Sequence, residues 1–121
     1  MPSKELLLSA FQGGRTLRPA WVPFVGVHGG KLLGVSATEY LRSSDLIVKG
    51  LKKAHELYRP DGLPIVFDLQ MEAEILGCKL AWADEVPPSV VSHPLMGEGK
   101  IDDLPSFDLH QGRFPLVREA L

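Results

Sequence analysis

Residues 60–77 read PDGLPIVFDLQMEAEILG, and the order in this stretch is turn, short strand, helix. Arg59-Pro60-Asp61-Gly62 is turn chemistry, since Pro fixes φ and Gly supplies φ > 0. Leu63 to Phe67 is an apolar run of strand length, with Pro64 tolerable only near its start. Met71, Ile75 and Leu76 recur at helical spacing, and Gly77 is a natural residue to close that helix. Asp68 stands at the seam. A carboxylate at the carboxyl end of a buried strand sits where α/β barrels place their chemistry. The same aspartate would also serve as a cap for the helix that follows. Both readings stand on spacing alone.

Upstream, Trp21 to Val27 is apolar almost throughout, as a parallel strand buried on both faces would be, although Pro23 weakens that reading. His28-Gly29-Gly30-Lys31 follows directly. It reads as a Gly-Gly turn through which backbone approaches a ligand closely, or as an ordinary loop. It matches neither the P-loop nor the dinucleotide fingerprint. Ser36-Ala37-Thr38-Glu39 is a capping box, so a helix begins at Ala37. Ser43 or Ser44 caps a longer helix that runs to Tyr58, apolar along Leu46, Ile47, Leu51, Ala54 and Leu57. Its lysines, Lys49, Lys52 and Lys53, read as a solvated face. Gly50 should cost that helix about 1 kcal/mol relative to Ala.

Lys4 to Phe11 reads as a short helix capped by Ser3 and stopped by Gly13-Gly14. Cys78 to Ala83 alternates like a strand, Val90 to Met96 is a loop or edge segment, and residues 97–105 are turn-rich. Residues 112–121, GRFPLVREAL, open a helix with Pro near its first position and no closing signal. The expected organisation is one partial domain over residues 1–121, an N-terminal helix at 3–12 followed by βα units from 20 onward.

Composition bounds the function. The chain has 121 residues and is 45% apolar, with a formal net charge of -2. That charge gives no electrostatic case for nucleic acid or an anionic membrane. No apolar run approaches the roughly 20 residues of a membrane span. A single cysteine excludes an internal disulfide, and with no signal-peptide pattern at residues 1–14 it suits a reducing cytoplasm. The four histidines and Cys78 never fall at zinc-site spacing. No metal ligand set and no resident cofactor are therefore expected within this chain.

Residues 60–95, PDGLPIVFDLQMEAEILGCKLAWADEVPPSVVSHPL, resemble the N-terminal region of the uroporphyrinogen decarboxylase superfamily. It includes uroporphyrinogen decarboxylases and corrinoid-dependent methyltransferases. Gly112-Arg113-Phe114-Pro115 is similar to the family's Gly-Arg-x-Pro segment. The resemblance spans roughly residues 20–121. It implies an α/β fold, the N-terminal portion of a (β/α)8 TIM barrel.

By this resemblance Asp68 matches the aspartate with which the decarboxylases bind pyrrole NH groups. His28 and Lys31 would line the pocket from the neighbouring loop, with Glu72 and Glu74 as further candidates or as a solvated helix face. The departure is upstream. The decarboxylases carry Arg-Gln-Ala-Gly-Arg after the first strand, and here Val27 and Lys31 fill the two arginine positions. Lys is a poor replacement for Arg at bidentate carboxylate contacts. The Glu72-Ala73-Glu74 wording is closer to the methyltransferase branch, which implies zinc and a corrinoid partner, with the zinc ligands outside this chain.

A closed barrel takes about 250 residues, and this chain offers about three barrel strands, too short to close one alone. The expectation is a piece of a longer polypeptide, a subunit completed by a second chain, or copies that associate along an open sheet edge. The expected small molecule is a tetrapyrrole or corrinoid substrate.

Overall fold

A computed structural model describes all residues, 1–121. Six α-helices dominate: α1 (Ser3–Phe11), α2 (His28–Leu33), α3 (Ala37–Leu41), α4 (Ser44–Tyr58), α5 (Met71–Ile75) and α6 (Phe114–Ala120). A two-stranded antiparallel hairpin pairs β1 (Lys79–Ala81) with β2 (Ser89–Ser92), with a register irregularity between Lys79 and Leu80. A single 3-10 turn covers Ile101–Asp103.

Helix α4 is the spine. Helices α2, α3 and α6 all pack on it, and the buried centre is Tyr40, Leu41, Ile47, Leu51 and Ala120. Its start is fixed as expected, since the Ser43 hydroxyl accepts from Leu46 N at 3.2 Å. Helix α3 starts on Ser36, whose Oγ accepts from Glu39 N at 3.1 Å and donates to Glu39 Oε1 at 3.2 Å. Helix α1 departs from expectation: Pro2 stands at its cap position, no side chain caps it, and Ser3 is already helical.

The expected loop at residues 28–31 is a helix, α2. Gly29 and Gly30 serve packing. A Cβ on Gly30 would lie 2.8 Å from Tyr40 Cβ, and one on Gly50 would lie 2.6 Å from Tyr40 Cε2. The glycines form a socket for the Tyr40 ring, which is 1% exposed. Burial pushes its phenol up to about 12.

The two apolar runs expected as parallel strands do lie side by side. Val22 faces Gly62, and Phe24 stacks on Phe67 with ring centroids 4.8 Å apart. Neither is a strand. The turn before the second run is tied to the first by Asp61 N, which donates to Trp21 O at 2.9 Å. Pro23 and Pro64 each remove a donor from the would-be ladder. Gly26, at φ 54, then turns the chain into α2. Asp61 holds this junction: its carboxylate takes both Arg18 Nη groups at 2.7 Å and Trp21 N at 2.8 Å. The Arg18 bonds, then the Trp21 amide and the Ser3 hydroxyl, hold its carboxyl well below the usual range.

No helix is long and apolar enough to cross a membrane.

Candidate functional site

Asp68 ends the second apolar run and is folded under the chain. Its side chain is 0% exposed. Oδ1 accepts from Gln70 N at 2.9 Å, an Asx-turn that leads the chain toward α5. Asp68 does not cap the helix, since the cap position is Gln70. Oδ2 lies 2.6 Å from Arg113 Nη1. That approach is an ion contact whose angles fall short of a hydrogen bond, so Oδ2 counts among the buried atoms without a hydrogen-bond partner, as does Arg113 Nη2.

Arg113 itself is 7% exposed. Its Nε donates to Glu74 Oε2 at 2.9 Å. Its guanidinium carbon sits 4.8 Å from the Trp82 ring centroid, and Arg42 sits 4.1 Å from the same ring. The cluster therefore joins the second apolar run, α5, the segment after β1 and the start of α6. Two carboxylates on one guanidinium compensate a charge that burial alone would make costly. Arg113 was not singled out as a site residue from the sequence. One signal was available: a cation at the start of a helix opposes the helix dipole, so Arg113 needs carboxylates elsewhere.

The other candidates lie apart. Lys31 lines a cleft of about 600 Å³ with Val27, Ser36, Glu39, Asp84 and Glu85. Two bonds place the acidic wall: Ala37 N donates to Asp84 O at 2.6 Å, and Thr38 Oγ1 donates to Ala83 O at 2.8 Å. His28, one turn from Lys31 on α2, faces away from it. Its Nε2 is 2.8 Å from the Tyr58 hydroxyl, and it lines a smaller groove of about 250 Å³ with Trp21, Pro23, Phe24 and Tyr58. Glu72 is exposed and Glu74 half-buried. The structure thus brings together Asp68 and Glu74 through Arg113, and leaves His28, Lys31 and Glu72 separate. Asp68 lines neither the cleft nor the groove.

The family model described as uroporphyrinogen decarboxylase (URO-D) matches residues 2–121. The chain belongs to the uroporphyrinogen decarboxylase family. Among solved structures, a methyltransferase from Methanosarcina mazei shares the fold with a TM-score of 0.81 and 24% identity. The match covers 99% of this chain and 37% of that one, so the present chain spans little more than a third of its structural relative. Comparison with curated proteins gives no match. Membership of the uroporphyrinogen decarboxylase family extends the resemblance of residues 20–121 back across α1.

Proposed function

We propose that this chain is the N-terminal portion, or a subunit, of a corrinoid-dependent methyltransferase that passes a methyl group from a methylcobamide to a thiol. The carrying observation is the cleft beside the family's two arginine positions. Val27 and Lys31 stand there, and the same cleft holds Glu39, Asp84 and Glu85. One cation against three carboxylates repels a polycarboxylate porphyrinogen and offers it no bidentate partner. The methyltransferase fold relative supports the reading at the level of architecture.

No group of three or more His, Cys, Asp or Glu side chains comes together as a metal ligand set in residues 1–121. The zinc of this branch would find no such ligand set among these side chains. This chain's contribution is to shape and position the pocket: Lys31 and the acidic wall select the ligand's charge, and Asp68 is a carboxylate held at the end of the second apolar run. The rest of the barrel, on the same polypeptide or on a second chain, covers the exposed side chains of Trp21, Phe24 and Phe67.

The test uses the full-length gene product that carries residues 1–121. It is assayed for methyl transfer from methylcobalamin to a thiol, and separately for decarboxylation of uroporphyrinogen. Methyl transfer without decarboxylation is expected. Robust decarboxylation with Val27 in place overturns the reading. Neither activity, with tight capture of a second protein, points instead to a non-catalytic module.

A further inference from the structure

The cleft at Lys31 carries charges of both signs that do not meet. Lys31 lines it from α2, Glu39 from α3, and Asp84 and Glu85 from the segment after β1. None of the three carboxylates lies within ion-pair distance of Lys31. We propose that the cleft binds a zwitterion, the α-amino-acid end of a small thiol, with its ammonium on the acidic wall and its carboxylate on Lys31. The thiol is the methyl acceptor of the proposed function, on which this assignment rests.

The charged walls are held by the fold. Glu39 Oε1 accepts from the Ser36 hydroxyl at 3.2 Å, which tethers that carboxylate at the start of α3. Ala37 N donates to Asp84 O at 2.6 Å and Thr38 Oγ1 donates to Ala83 O at 2.8 Å, so the acidic segment is tied to the same helix. Helix α2, which carries Lys31, packs on α3. Three carboxylates against one ammonium leave the cleft net negative, and like charges brought together repel. A ligand ammonium relieves that repulsion. Lys31 sets the other end: a lysine is a point charge, which suits a single carboxylate, whereas several would need the planar fork of arginine. A purely anionic thiol meets the acidic wall as a like charge, and a purely cationic one meets Lys31 in the same way. A ligand of both signs satisfies both walls. Val27, Val35 and Val86 line the same cleft and offer apolar contact to the methylene stem that carries the sulfur. The volume of about 600 Å³ falls within the range of small-molecule sites, about 300–1,000 Å³. In the transfer the thiol sulfur loses its proton and gains the methyl group, and the electron pair of the broken carbon–cobalt bond stays on the corrinoid.

The experiment is calorimetric binding to the full-length gene product, with no methyl donor present, of thiols that differ in charge. L-homocysteine is the zwitterion, cysteamine the cation, mercaptopropionate the anion and mercaptoethanol the neutral probe. The same thiols then serve as acceptors from methylcobalamin. L-homocysteine should bind at least about 3-fold tighter than each of the others, as exposed charge pairs allow. Lys31, Glu39, Asp84 and Glu85 are all exposed, so their substitution leaves the core intact. Lys31→Met should weaken L-homocysteine by about 2- to 5-fold and tighten cysteamine. Asp84→Asn with Glu85→Gln should weaken L-homocysteine and tighten mercaptopropionate. Mercaptopropionate or cysteamine bound as tightly as L-homocysteine by the wild type overturns the proposal, as does a Lys31→Met variant that weakens every thiol equally. Selective binding of L-homocysteine without methyl transfer upholds the ligand class and removes the proposed reaction. Methyl transfer to mercaptopropionate in preference to L-homocysteine keeps the reaction and overturns the ligand class.

Discussion

At the scale of single residues, two positions show which of two opposing effects wins. Gly50 sits inside α4, where an alanine gains up to about 1 kcal/mol of helix propensity. Its added Cβ would lie 2.6 Å from the Tyr40 ring and 2.9 Å from the Gly29 carbonyl oxygen. Overpacking of a filled core costs about 1–3 kcal/mol, so Gly50→Ala should destabilise the protein, read as a lower urea midpoint at unchanged slope. Asp61 gives a pH signature. Its folded-state carboxyl lies below the ordinary value, with the Arg18 hydrogen bonds as the largest cause. The unfolded chain therefore binds the extra proton first as pH falls. The stabilisation is fully present above the unfolded carboxyl's value of about 4 and fades as pH drops toward the folded one. Asp61→Asn should flatten the loss of stability between neutral and strongly acidic pH, measured by urea unfolding across that range. An unaltered acid profile would contradict the Asp61 assignment.

At the scale of elements, α3 and α4 were legible because their signals are local: Ser36 and Ser43 bond amides three residues on. The second apolar run and the α2 segment were less so. A parallel strand is made by its neighbours, and residues 21–27 and 63–67 each carry a proline that removes a donor. The His28-Gly29-Gly30-Lys31 turn became helical because the glycines admit the Tyr40 ring, a contact with a residue ten or more positions away that no local pattern announces. Asp68 stood out in the sequence at the seam before the helix, and the structure folds it under the chain beside Arg113. Its partner Arg113 lies 45 positions on, where sequence spacing carries no signal. That burial also changes what a substitution does. Asp68→Asn leaves Arg113 buried with a single carboxylate, so it should lower stability by about 1–3 kcal/mol, the cost of leaving a buried polar group without its partner. Calorimetry that finds no change would place Asp68 outside the load shared by α5 and α6.

At the scale of the whole molecule, the core around α4 is small and the apolar surface is wide. Phe24 is 67% exposed, Leu69 73% and Trp21 50%, and Phe67 stacks beside Phe24. Exposed apolar patches of this kind mark surfaces that associate. Residues 1–121 expressed alone should bind a hydrophobic dye and associate with rising concentration in sedimentation velocity. Phe24→Ser with Phe67→Ser should weaken both, and an unchanged monomer at high concentration would contradict the patch as an associating surface. The structural relative is nearly three times the matched length, and under the proposed function the rest of the barrel covers this face.

The central claim is that this cleft belongs to a methyl-transferring enzyme and not to a decarboxylase. The most direct measurement offers the full-length gene product methylcobalamin plus a thiol in one assay and uroporphyrinogen in the other. A methylated thiol and no released carbon dioxide are expected. Released carbon dioxide, with Val27 and Lys31 where the decarboxylases carry arginines, would contradict it.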